Sequence, residues 1–141
     1  MQPHDMNDTG GAKELAHYRI EVAKEDLRAA IRSVESDDYR TANNRAYYAI
    51  YHAVTACLAL IFKSYKSHAQ TIGAFNKEFV NTDHFPRNIA RKISKAQEVR
   101  QESDYSDFYI ISKEETRDQV ETAKEVVRLV DEYLKKEIGN S

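Results

Sequence analysis

The sequence contains few of the residues that interrupt helices, because only four glycines and two prolines occur in 141 residues. Helix-forming residues dominate instead, and this composition favours an all-α domain. The only cysteine is Cys57, so no internal disulfide can form and a reducing compartment is indicated. Four glycines also leave little from which to build a glycine-rich phosphate loop or a nucleophile elbow. These shortages exclude disulfide scaffolds and disfavour P-loop enzymes and serine hydrolases.

An excess of positive charge is also missing, since the formal net charge is −2 at pH 7. Any patch that contacts a nucleic acid would therefore have to be local. Four of the five histidines, at positions 17, 52, 68 and 84, lack the close spacing and the Cys or carboxylate partners that zinc sites show in sequence. We therefore expect neither a metal ion nor a cofactor.

The one long apolar run extends from Ala46 to Phe62 and is 17 residues long, which is the lower end of the range that spans a membrane. It contains His52, Thr55 and three tyrosines, so a buried core helix is the favoured interpretation. Residues 1–11 lack the basic-then-apolar order of a signal peptide. We expect a cytoplasmic protein that does not associate with a membrane.

The spacing of apolar residues predicts an up-and-down bundle of about four long helices plus one short helix. We expect residues 1–11 to form a flexible tail and residues 12–138 to form one helical-bundle domain. The charged residues between the apolar positions of the first helix are expected to form a solvated face. The first two predicted helices cover about residues 12–36 and 38–62, and a short third helix extends from Ser67 past Phe79. The fourth extends from Pro86 to about Ser103. The last opens with a capping box at Ser112–Glu115 and ends just before Gly139.

Two polar groups, Arg45 and His52, are carried by the apolar second helix. Seven residues at about 100° each make roughly 700°, within about 20° of two full turns, so both groups lie on one face, roughly 10 Å apart along the axis. Histidine can accept or donate a proton near neutral pH, and arginine can fork onto a phosphate. Together they are the minimum set for cleaving RNA without a metal. The alternative is a hydrogen-bonded core histidine and a surface ion-pair arginine.

The run Asn44-Arg45-Ala46-Tyr47-Tyr48-Ala49-Ile50-Tyr51-His52-Ala53 resembles the signature helix of HEPN domains (higher eukaryotes and prokaryotes nucleotide-binding), especially their small single-domain prokaryotic branch. The family motif is an arginine, four to six residues, then a histidine, and here six residues separate the two. The segment Arg100…Asp104-Tyr105 and the pair Ser67-His68 resemble the same branch, so the likeness covers roughly residues 12–136. The resemblance implies a bundle that dimerises and often cleaves RNA without metal. It also implies toxin–antitoxin settings, with a small nucleotidyltransferase-like protein as the common partner.

The resulting hypothesis is a metal-independent endoribonuclease of HEPN toxin type, in which Arg45 and His52 of both chains of a homodimer line one cleft. Many active family members have a polar residue directly after the motif arginine, where this sequence has Ala46. One branch is silenced by modification of a tyrosine two residues after the histidine, and Val54 at that position argues against such silencing here. The alternative is a non-catalytic HEPN protein that binds a nucleotide or a nucleotidyltransferase-like partner.

Four further residues are candidates for binding RNA. Tyr48 could stack on a base, because it lies nearest to the Arg45/His52 stripe. Lys63, Lys66 and His68 follow the apolar helix and could guide a phosphate backbone. The alternatives are a ring that belongs to the core and a turn that is merely solvated.

Overall fold

The computed structural model describes residues 8–105 and 110–139. Within these residues the chain forms five α-helices and no strand, which confirms the predicted all-α bundle. The helices are α1 (Asp8–Glu35), α2 (Tyr39–Leu60), α3 (His68–Phe75), α4 (Asn88–Tyr105) and α5 (Lys113–Gly139), and a π-helical turn at Asn76–Val80 continues α3.

Side-chain caps fix the starts of three helices close to where the sequence predicts them. The Asp38 carboxylate accepts the Thr41 N–H at 3.3 Å at the start of α2. Ser67 Oγ accepts the Gln70 N–H at 3.0 Å before α3. The predicted capping box of α5 is confirmed, because the Glu115 N–H donates to Ser112 Oγ at 3.0 Å and the Ser112 N–H donates to the Glu115 carboxylate at 3.2 Å.

Other helix ends differ from the prediction. Helix α1 begins at Asp8, so residues 8–11 of the predicted tail are helical, while residues 1–7 lie outside the described residues. Pro86 is not in the first turn of α4, because the carbonyls of Pro86 and Arg87 accept short-range turn bonds before the helix starts at Asn88. Gly139 is the last residue of α5 rather than the residue after it.

Helix α2 is the central helix, packed against α1, α3, α4 and α5. Its contact with α1 uses small side chains on both helices, which allow the two backbones to approach closely. On α1 the fully buried residues Ala16, Ala23 and Ala30 recur every seven positions. Cys57 is buried as expected, and none of the described helices is long and apolar enough to cross a bilayer.

Candidate functional site

Arg45 and His52 converge on one carboxylate that belongs to α1. Arg45 Nη1 donates to Asp26 Oδ1 at 3.1 Å, and His52 Nδ1 donates to Asp26 Oδ2 at 2.8 Å. The two oxygens of a single side chain therefore hold both candidate catalytic groups. The shared-face prediction for Arg45 and His52 agrees with this geometry.

The expectation that the charged residues of α1 form a solvated face is wrong for Asp26, which is only 9% exposed. Asp26 lies three residues after Ala23 and four before Ala30, on the side of α1 that packs against α2. A carboxylate at such a position needs a charged or hydrogen-bonding partner. The periodicity of the alanines was the signal that could have identified it.

The backbone separation of roughly 10 Å between the two motif residues overstates the distance between their functional groups. Long side chains lean along the helix surface, and both reach the same carboxylate. The side chains of Arg45 and His52 are 39% and 33% exposed, whereas that of Asp26 is 12% exposed. The side chains of Arg45 and His52 in one chain are therefore close enough to contact the same phosphate, and both are partly exposed to solvent.

Tyr48 lies between two guanidinium groups at the same site. The Cζ of Arg45 is 5.4 Å from the Tyr48 ring centroid, and that of Arg100 is 5.3 Å from it. Arg100 Nη2 also donates to the Tyr48 hydroxyl at 3.1 Å. Arg100, from α4, belongs to the segment that resembles the HEPN branch, but the sequence alone did not single it out as a site residue.

A second carboxylate, Asp104, positions this end of the site. Its Oδ2 atom is 3.0 Å from Arg100 Nε and accepts the Asn44 side-chain amide at 2.9 Å. Asn44 Oδ1 in turn accepts Arg45 Nη2 at 3.0 Å. The Arg45 guanidinium is thus oriented from two sides, by Asp26 and by Asn44.

His68 is brought to the same aromatic cluster by the start of α3. Its Nδ1 is 2.9 Å from the hydroxyl of the buried Tyr47, and its ring centroid is 4.1 Å from that of Tyr51. Burial lowers the pKa of His68, and the nearby charges of Arg100 and His52 lower it further. The neutral ring then accepts the Tyr47 O–H at Nδ1.

The two candidate lysines are not held in this cluster. Lys63 is exposed and pairs with Glu78 at 2.7 Å, which offsets part of its charge. Lys66 is exposed in the connection between α2 and α3. Ala46, next to the motif arginine, is fully buried in the core and presents no group to the site.

An open groove of about 480 Å³ adjoins His52 on the side toward the C-terminal end of α2. Residues of α1, α2, α3 and the connection after α2 line it, among them Arg19, Tyr51, His52 and Lys63. In the described part of the chain, no group of three or more His, Cys, Asp or Glu side chains could hold a metal ion. The arrangement offers proton transfer and anion binding from protein groups.

The site combines an arginine and a histidine two turns apart on the central helix of an all-α bundle. Together the fold and this motif place the chain in a class of small helical proteins with an Arg/His motif. The HEPN domain family model matches residues 16–133. The chain therefore belongs to the HEPN family, as the signature helix predicts.

Named relatives support this assignment over much of the chain. The chain is 37% identical over 94 residues to the protein named Putative toxin MJ0605 of Methanocaldococcus jannaschii, which covers 67% of this chain and 70% of that one. It is 25% identical to a UPF0332 protein of Thermotoga maritima, over 86% of this chain and 92% of that one. A UPF0332 protein of Pyrococcus horikoshii is 30% identical over 57% of each chain.

Proposed function

We propose that this HEPN protein is a metal-independent endoribonuclease of toxin type, with Arg45 and His52 as its catalytic residues. The observation that carries the proposal is the bridge by which Asp26 holds both side chains. A carboxylate on Nδ1 fixes the orientation of an imidazole and stabilises its protonated form, while Nε2 is left to exchange a proton with a substrate.

The cleavage step needs only groups of this kind. His52 Nε2 accepts the proton of the ribose 2′-hydroxyl while the 2′-oxygen attacks phosphorus. The bond from phosphorus to the 5′-oxygen breaks, and the imidazolium returns a proton to that leaving oxygen. The products are a 2′,3′-cyclic phosphate and a 5′-hydroxyl.

Arg45 is suited to stabilise the charge that develops on the phosphoryl oxygens. Its two terminal nitrogens each donate one bond within the protein, to Asp26 and to Asn44. A guanidinium has five N–H donors, so others are available to a phosphate. Because these bonds fix its orientation in advance, little reorganisation is needed in the transition state.

The biological role that we propose follows from the relatives. One of them carries the name toxin, and this chain shares the HEPN domain. We propose that it too acts as the toxin of a toxin–antitoxin pair in the cytoplasm, with a nucleotidyltransferase-like protein as antitoxin. Co-purification of the co-expressed neighbouring gene product, and relief of growth arrest by it, would test this role.

We also propose a homodimer in which the Arg45/His52 faces of two chains lie at a shared groove. The partly exposed Arg45 and His52 would then lie near the two-fold axis, where a partner can narrow the site. Sedimentation at micromolar concentration tests it. A monomer, or a dimer formed through surfaces remote from both residues, is the contrary result.

A non-catalytic HEPN partner is the second candidate function. Asp26 already satisfies both motif side chains, and such a network can serve structure alone. In that case the protein would bind a nucleotide or a nucleotidyltransferase-like protein and would leave RNA intact.

RNA cleavage in the presence of EDTA distinguishes the two functions. Wild type should cleave single-stranded RNA and leave cyclic phosphate ends, which mass spectrometry identifies. His52→Ala and Arg45→Ala should each lower the rate by about 10² or more. His17→Ala and Arg28→Ala, at exposed positions of α1, are matched controls that should keep full activity. Activity that survives His52→Ala, or that EDTA abolishes, would rule out this mechanism.

A further inference from the structure

The groove beside His52 has a composition that the catalytic pair does not explain. Tyrosine rings from three parts of the chain line it, contributed by Tyr18 of α1, Tyr51 of α2 and Tyr65 of the following connection. Two of these rings are open to solvent, since Tyr18 is 65% exposed and Tyr65 is 38% exposed. Exposed rings that border a groove beside a reactive histidine can contact a ligand there.

The charges in this groove have one sign. Arg19 and Lys63 line it together with His52, and none of its described lining residues is acidic, although the chain has 23 Asp and Glu residues. Lys63 is paired with Glu78. In the described part of the chain no acidic side chain pairs with the half-buried Arg19. A cation in this position is suited to an anionic ligand.

We propose that this groove is a subsite for single-stranded RNA, in which a nucleotide next to the scissile phosphate places its base against Tyr18 or Tyr65 and its phosphate near Arg19. The proposal rests on the proposed function, because His52 belongs to both the groove and the catalytic pair. Aromatic faces accept any base, so the subsite provides affinity with little dependence on sequence. The cation follows the backbone and makes binding sensitive to salt.

The position of the groove agrees with this assignment. His52 lies at the boundary between the groove and the Arg45 end of the site, and Tyr51 reaches from the groove toward His68, with ring centroids 4.1 Å apart. A strand whose scissile phosphate is bound at Arg45 and His52 can therefore extend past His52 into the groove. A second copy of the chain is the other occupant that exposed tyrosines could accept, and the test includes it.

The test uses the full chain and a fluorescent 2′-O-methyl oligoadenylate, which lacks the 2′-hydroxyl nucleophile and cannot be cleaved. Tyr18→Ala and Tyr65→Ala should each weaken binding by roughly 5- to 150-fold, the range found for loss of one stacked base. Tyr18→Phe keeps the ring and should bind like wild type. Arg19→Gln should lower the slope of log affinity against log salt by about 0.7, the contribution of one phosphate in a single strand. Arg28→Gln on the exposed face of α1 is the matched control.

The outcomes separate this proposal from the proposed function. Wild-type affinity and salt slope in the Tyr18, Tyr65 and Arg19 variants would overturn the subsite even if RNA is cleaved. Groove-dependent binding without cleavage of RNA would support the subsite and refute the nuclease. Sedimentation of each variant tests the other occupant, because loss of a dimer in parallel with loss of binding would make the groove a self-interface and overturn the proposal.

Discussion

Replacing Asp26 by asparagine tests whether the bridge between α1 and α2 serves catalysis. The side chain keeps its shape, but it loses its charge and presents an amide N–H₂ group to either Arg45 or His52. In the folded protein the carboxylate accepts one bond from each, at 3.1 and 2.8 Å. Asp26→Asn therefore removes a charge-assisted bond without opening a cavity.

The expected loss can be estimated from that bond. A hydrogen bond to a charged group contributes about 1.5–3 kcal/mol, and each 1.36 kcal/mol of barrier changes a rate tenfold. If the orientation of His52 depends on this bond, Asp26→Asn should lower kcat by roughly 10- to 150-fold. KM should change less, because Arg45 keeps its bond to Asn44.

Asp131 offers a matched control for the loss of a bridging carboxylate. Its two oxygens pair with Lys24 and Lys135, each at 3.1 Å, on a part of α5 away from the site. Asp131 is partly exposed, so the loss of its two pairs, at about 0.2–1 kcal/mol each, should lower the free energy of unfolding only modestly. Asp26 is buried, so Asp26→Asn should lower the free energy of unfolding more. Asp131→Asn should retain wild-type cleavage, and the unfolding curves of both variants distinguish loss of the fold from loss of catalysis.

The assay is cleavage of a single-stranded RNA in EDTA over a range of pH, with unfolding followed by circular dichroism. A folded Asp26→Asn protein that keeps wild-type kcat at every pH would refute the positioning role of Asp26. Equal losses of activity in the Asp26 and Asp131 variants would attribute the effect to stability instead.

Two further predictions concern stability. Because burial lowers the pKa of His68, the unfolded chain takes up a proton more readily than the folded chain, so the stability that this group contributes is full above about pH 6.5 and is lost as the pH falls below that value. The free energy of unfolding in urea should therefore differ less between pH 5 and pH 7.5 in His68→Gln than in wild type. An unchanged difference would contradict the prediction. Gly73 is exposed inside α3, and a Cβ there would meet nothing within 4 Å, so Gly73→Ala should raise the free energy of unfolding by about 0.5–1 kcal/mol, whereas a fall in the melting temperature would contradict it.

The sequence predicts well what depends on neighbours along one helix. The register of Arg45 and His52 follows from 3.6 residues per turn, and the caps at Asp38, Ser67 and Ser112 follow from local hydrogen bonds. These features need no knowledge of how helices pack. They could therefore be predicted from the pattern alone.

The partners of those residues could not be predicted in the same way, because they come from elsewhere in the chain. Asp26 is 19 residues before Arg45, and Arg100 is 52 residues after Tyr48. A charged residue in a polar helix is usually solvated, so composition assigns Asp26 to the surface. The register of the α1 alanines places Asp26 on the buried side of the helix, but the residues that it meets there depend on how α1 packs against α2.

The convergence of two motif side chains on Asp26 also changes the physical reason for a dimer. A separation of roughly 10 Å along the helix axis is awkward for two groups that act at one phosphate, and pairing across a two-fold axis could shorten that distance. Arg45 and His52 already meet at one carboxylate within a single chain. The distance between the two side chains is therefore no reason for the protein to dimerise. A partner chain would instead act by covering the exposed edges of the two side chains and by excluding water from the phosphate, which strengthens the electrostatic contribution of Arg45. Dimerisation should then change the rate of cleavage, while the same two residues remain the catalytic ones.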